Sequence, residues 1–116
     1  MLTENSIATA TITGTAAWES LFNLKPVLLF GNFCYQDCKG VFKIKTNNDV
    51  SDAISKIIAG NCFTKKDLLI FVKALSDNSV YGYVDEVYKS LSIVPFEEAV
   101  NNISRKFIKI IEEFEN

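Results

Sequence analysis

The apolar positions change period along the chain, from strand-like in the first forty-odd residues to helical beyond them. Over residues 6–13, Ala8, Ala10 and Ile12 fall on one side and Thr9, Thr11 and Thr13 on the other, which predicts a strand. A turn of small residues and a short helix over 16–23 follow. The run VLLF at 27–30, introduced by Pro26, has the unbroken apolar character of a strand buried on both faces of a parallel sheet. Residues 31–40 read as a loop and 41–45 as a third short strand.

Helical spacing then takes over. Val50, Ala53, Ile54, Ile57 and Ile58 recur at i, i+3, i+4, i+7 and i+8, with Asn48 or Asp49 as the predicted cap and Gly60 as the stop, so this helix is expected to lie on the sheet. Thr64 and Asp67 have the spacing of a capping box, and Leu68, Leu69, Phe71, Val72 and Leu75 carry a second helix to about residue 76. After a polar break at 77–82, Tyr81, Tyr83, Val84, Val87, Tyr88 and Leu91 suggest another helical segment whose aromatic face is expected in the core. Pro95, Glu97 and Glu98 open a last helix with an apolar stripe of Phe96, Val100, Ile103, Phe107, Ile110, Ile111 and Phe114.

The predicted class is therefore α/β, a partial Rossmann-like domain with a short parallel sheet of about three strands, helices around it and a helical C-terminal part. A length of 116 residues fits one small domain. Within it, 6–60 would form the βαβ part and 64–116 the helical part.

The candidate chemistry lies where the first strand meets the first helix. Thr13, Gly14, Thr15 and Ala16 are small enough for backbone N–H groups to approach an anion that the helix dipole favours, and Glu19 follows one turn later. The same residues would also serve simply to turn the corner and cap the helix. A first-turn glutamate is more often solvated than a hydroxyl acceptor.

The wording TGTAAWESLFNLKPVLLFGNFCY at 13–35 resembles the nucleotide-binding half of bacterial capsular polysaccharide biosynthesis proteins, glycosyltransferases of GT-B architecture. The likeness runs from about Ala10 to Tyr35 and more loosely to Ile58. It implies that Thr13, Gly14 and Thr15 lie against the donor phosphate, that Ala16 opens the helix and that Glu19 accepts from ribose or sugar hydroxyls. Lys25 and Pro26 would be architectural, and Phe33 and Tyr35 would sit in an aromatic loop near the donor, where packing on their own domain is the plainer role. The implied ligand is a CMP-, UDP- or GDP-linked sugar, with no metal and no other cofactor. A GT-B enzyme needs two Rossmann-like halves and an upstream His-Pro pair, so on this likeness the chain is expected to be a donor-side fragment, inactive alone. The alternatives are a non-catalytic interaction module and the remnant of a truncated gene.

Composition narrows these readings. The chain has no histidine, which removes Ser/His/Asp and Cys/His nucleophile systems and His-based zinc sites. Carboxylate chemistry remains open to Glu19, Asp37, Asp49 and Asp52, although Asp49 and Asp52 stand where helix-starting acids usually stand. Three cysteines, Cys34, Cys38 and Cys62, make neither a disulfide framework nor a four-ligand zinc site, and reduced thiols of a cytoplasmic protein are expected. A net charge of -2 from 12 basic and 14 acidic residues contains no block dense enough for nucleic acid. No apolar run approaches the ~18 residues of a membrane span. The C-terminal stripe would pack across its own domain by default, or else support self-association or a partner chain.

Overall fold

The computed structural model describes residues 2–116 and divides after Ala74 into two compact units. The division falls inside a helix and not in the 60–64 interval at which the sequence changes character.

The first unit opens with a short helix, α1 (Leu2–Asn5), ahead of strand β1 (Thr9–Thr11). Helix α2 (Ala16–Phe22) leads to β2 (Val27–Leu29), a loop to β3 (Val41–Lys43), and then come α3 (Asn47–Ala59) and α4 (Lys65–Asp77), which runs across the unit boundary. The strands form one parallel sheet in the order β1-β2-β3, with Thr9 opposite Val27 and Val27 opposite Val41. The chain is thus α/β with a three-stranded parallel sheet flanked by helices and a C-terminal helix, as expected of a partial Rossmann-like fold.

The strands are shorter than the alternation suggested. β1 holds three residues, with Thr9 and Thr11 half-buried and Ala10 exposed, so the threonine side faces inward. Hydroxyls explain this: Thr9 Oγ1 shares a hydrogen bond with the buried Ser20 of α2, and Thr11 Oγ1 accepts from the Gly14 N–H. Buried polar atoms that find partners in this way avoid the desolvation cost that would otherwise turn them outward. In β2, Val27 and Leu29 are fully buried, and with Ala17, Leu21, Tyr35, Cys38, Phe63 and Leu68 they make the core.

Local chemistry sets the helix ends. Thr46, not Asn48 or Asp49, caps α3. Its side chain accepts from Asp49 N while the Asp49 carboxylate accepts from Thr46 N, a full capping box that satisfies both donors. The Thr64–Asp67 pair does the same for α4, as its spacing predicted. α2 ends in a Schellman arrangement: Leu24 N donates to Leu21 O at 3.0 Å and Lys25 N to Ser20 O at 2.8 Å, with Leu24 at φ 55°. Only part of the α3 stripe is covered, since Ala53 is buried but Ile54 and Ile58 are exposed.

The second unit consists of the end of α4, an irregular segment and helix α5 (Phe96–Glu115). The helix expected over 81–91 does not form. Asp85 accepts from Val87 N and closes a single 3₁₀ turn at Glu86–Tyr88, and Tyr81, Val84, Val87, Tyr88 and Leu91 are exposed instead of core. Competition from the Asp85 side chain favours an isolated turn over a helix, and Gly82 is tied to close packing: a Cβ there would meet Ile103 Cδ1 at 3.1 Å. Asn102 Nδ2 donates to Tyr81 O at 2.9 Å and Tyr83 lies against Phe96, so the segment covers the first half of α5 and buries Ala99.

Candidate functional site

Parallel pairing puts the residues that follow β1 and β2 at one end of the sheet, the carboxyl edge, where open α/β sheets place their ligands. The structure gathers Thr13, Gly14, Thr15 and Ala16 there as one turn, with Glu19 on the next turn of α2. Thr13, Thr15, Ala16 and Glu19 are exposed and Gly14 is half-buried.

The turn is largely occupied with holding itself. Gly14 N donates to Thr11 Oγ1 at 2.9 Å, and Gly14 O accepts from Tyr35 Oη at 3.0 Å and from Ala17 N at 3.3 Å. Trp18 N donates to Thr15 O at 2.9 Å. Gly14 therefore does not present its N–H to an anion, and its lack of a side chain is explained locally: a Cβ would fall 2.8 Å from Thr11 Oγ1. Thr15 caps α2 without a side-chain hydrogen bond. The helix has only seven residues, so it brings few aligned peptide dipoles to the turn.

Tyr35 belongs to this scaffold. It is fully buried, its ring meets Trp18 edge-on at 5.4 Å and Phe33 at 5.0 Å, and burial pushes its phenol pKa up, with the nearby Cys34 adding to the shift. A phenol held protonated is a donor, which is the role it plays toward Gly14 O. Pro26 is likewise structural: it is buried, and its carbonyl accepts from Thr9 N at 3.0 Å.

A cavity of about 430 Å³ lies at the opposite, amino edge of the sheet, between Ile7, Leu24 and Pro26 on one side and Ile57, Cys62 and Phe63 on the other. None of the sequence-predicted site residues lines it.

The remaining candidates have structural partners or lie apart. Asp49 is held below the usual carboxylate range by the N–H groups of Lys45 and Thr46, and Asp37 accepts from Lys43 Nζ at 3.0 Å. Cys34 is exposed, Cys62 half-buried and Cys38 buried, with the Cys38 thiol pushed up to about 11 by burial and the charge of Asp67. All three are free thiols. Among the described residues, no group of three or more His, Cys, Asp or Glu side chains converges as a metal site would require, and no helix is long and apolar enough to cross a membrane.

The second surface of interest is on α5. Phe107 is 62% exposed, Ile111 55% and Phe114 87%, so the C-terminal half of the stripe lies open, whereas the default expectation was that it would be packed. Sequence reading found the stripe but missed its spacing: Phe96, Val100, Ile103, Phe107, Ile110 and Phe114 alternate by four and three. Alternation by four and three is the spacing at which one helix packs along another, and Ile111 widens the stripe in its C-terminal half. Compared with known proteins, the chain matches no family model, no curated protein and no solved structure.

Proposed function

We propose that this chain is a non-catalytic interaction module in which the first unit is a small α/β scaffold and α5 receives an amphipathic helix of a partner protein. The observation that carries the reading is the open seam of Phe107, Ile110, Ile111 and Phe114, all exposed on one side of a 20-residue helix. Large apolar side chains grouped on one helix face mark interaction surfaces more often than isolated ones do. Glu97 and Glu113 flank the two ends of the seam. A partner with basic residues beside its own apolar seam would complement these acids. Free thiols support work in a reducing cytoplasm.

The test is calorimetric titration of the full chain with a synthetic heptad peptide carrying Ile and Leu in its seam and Lys beside it. Binding that disappears in the Phe107→Lys, Ile110→Lys variant, with circular dichroism unchanged, supports the reading. Absence of binding to a folded protein counts against it. Concentration-dependent dimerisation that the same variant abolishes would reassign the seam to a second copy.

A second reading, the donor-binding fragment of a nucleotide-sugar-dependent glycosyltransferase, is favoured by one observation. Thr13, Thr15 and Ala16 are exposed at the carboxyl edge of a parallel βαβ unit, with Glu19 beside them. Thermal stabilisation by CMP, UDP or GDP or their sugars, weakened by Glu19→Ala, would support it, because a ligand bound only by the folded state must stabilise that state.

A further inference from the structure

We infer that the second unit carries a binding site for a small phosphate ester with an aromatic ring, a ligand of the nucleoside polyphosphate class, between α5 and the segment before it. A cleft of about 390 Å³ there is lined by Ser79, Tyr81, Asn102, Arg105, Lys106 and Lys109, with Val80 completing it. That volume falls within the range of roughly 300–1,000 Å³ in which small-molecule sites occur.

The wall chemistry is one-signed. Asn102, Arg105, Lys106 and Lys109 are spaced i, i+3, i+4 and i+7, so α5 presents three cations to the cleft, and no acidic residue lines it. Like charges at this spacing repel unless a counter-charge sits among them. Among the described residues, neither Arg105 nor Lys106 is in a salt bridge, and Lys109 reaches Glu113 only at 3.9 Å. An Arg fork and two ammonium groups suit a di- or triphosphate, the Arg by paired hydrogen bonds and the lysines as point charges. Ser79 adds no donor, because its hydroxyl already donates to Leu75 O at 2.6 Å.

Tyr81 supplies the second element. Its backbone carbonyl is fixed to α5 by Asn102 Nδ2, yet the residue is 76% exposed. A ring held at its main chain and left open beside a cationic wall is a platform on which a base can stack while its phosphates reach the cations. At 100° per residue, Arg105 and Lys109 lie on the far side of α5 from Phe107 and Phe114, so a ligand held by these two and Tyr81 leaves the partner seam open, while Lys106 borders it.

The experiment is calorimetric titration of the full chain with ATP and, separately, with inorganic tripolyphosphate, for the parent and for Arg105→Gln/Lys109→Gln, Tyr81→Leu and Glu19→Ala. The expected result is that ATP binds more tightly than tripolyphosphate. Arg105→Gln/Lys109→Gln should weaken both by about tenfold or more, the scale of a lost charge-assisted hydrogen bond. Tyr81→Leu should weaken ATP but leave tripolyphosphate unchanged. Absence of binding by the folded parent, or equal affinity for the two probes with no effect of Tyr81→Leu, overturns the inference. Binding that Glu19→Ala abolishes and Arg105→Gln/Lys109→Gln spares also overturns it and moves the site to the β1–α2 turn.

Discussion

The phenol of Tyr35 donates to the carbonyl of Gly14 at 3.0 Å, joining the loop after β2 to the turn after β1 across 21 residues of sequence. Because Gly14 O keeps a second partner in Ala17 N, removing the hydroxyl alone is a modest loss. Tyr35→Phe is expected to lower stability by about 1 kcal/mol. Tyr35→Ala, which also empties a fully buried ring site, should cost about 3–5 kcal/mol. Urea unfolding followed by circular dichroism separates the two.

Leu24 occupies the left-handed position of the Schellman arrangement that ends α2, where glycine is the usual residue. An L side chain there costs roughly 1–2 kcal/mol, against roughly 0.5–1 kcal/mol for the extra chain entropy of glycine in the unfolded state. Leu24→Gly should therefore stabilise the protein by about 0.5–1 kcal/mol, and Leu24→Ala, which keeps the Cβ, should not. Equal midpoints for the two variants in urea would contradict this.

Asp67 accepts from Lys39 Nζ at 2.6 Å and from both donors of Thr64, and these contacts, Lys39 first, lower its pKa from 3.8 to about 2. A carboxylate whose folded pKa is depressed contributes stability that is complete above its unfolded value and is lost as pH falls through the folded one. The stabilisation from Asp67 should fade between pH 3.8 and about 2. In Asp67→Asn, thermal midpoints should fall less steeply across that window, while Asp49, also depressed, keeps part of the slope.

The three thiols should differ in reactivity. Cys38 is buried and held protonated up to about pH 11, whereas Cys34 is exposed. Because the thiolate is the reacting species, maleimide at neutral pH should label Cys34 first and Cys38 only after unfolding. Cys34→Ser should remove the fastest phase of labelling followed by mass spectrometry.

What could be read in the sequence was what depends on neighbours along the chain. The parallel strands, the Thr64–Asp67 box, the stop at Gly60 and the start of α5 beside Pro95 all rest on local preferences that tertiary contacts leave intact. What depends on distant partners was harder to read. The inward turn of Thr9 and Thr11 comes from hydroxyl partners at Ser20 and Gly14, and periodicity alone carries no sign of them. The segment 81–91 has helical spacing but lacks the core that would reward a helix, so Asp85 and Gly82 prevail. Of the candidate site, the grouping of Thr13–Ala16 with Glu19 was legible, and the internal use of the Gly14 N–H and carbonyl was not. The cluster of Arg105, Lys106 and Lys109 was hidden by a net charge close to balance.

The aromatic packing around the β1–α2 turn has one further consequence. Trp18 is the only tryptophan in the chain, and its indole lies edge-on to Tyr35, stacks on Phe22 at 5.9 Å and approaches Phe71 of α4 at 6.4 Å. Its emission therefore reports from the place where the turn, the loop after β2 and α4 meet. Any event that displaces Tyr35 from Gly14 would shift its spectrum, giving the first unit an intrinsic fluorophore that needs no label.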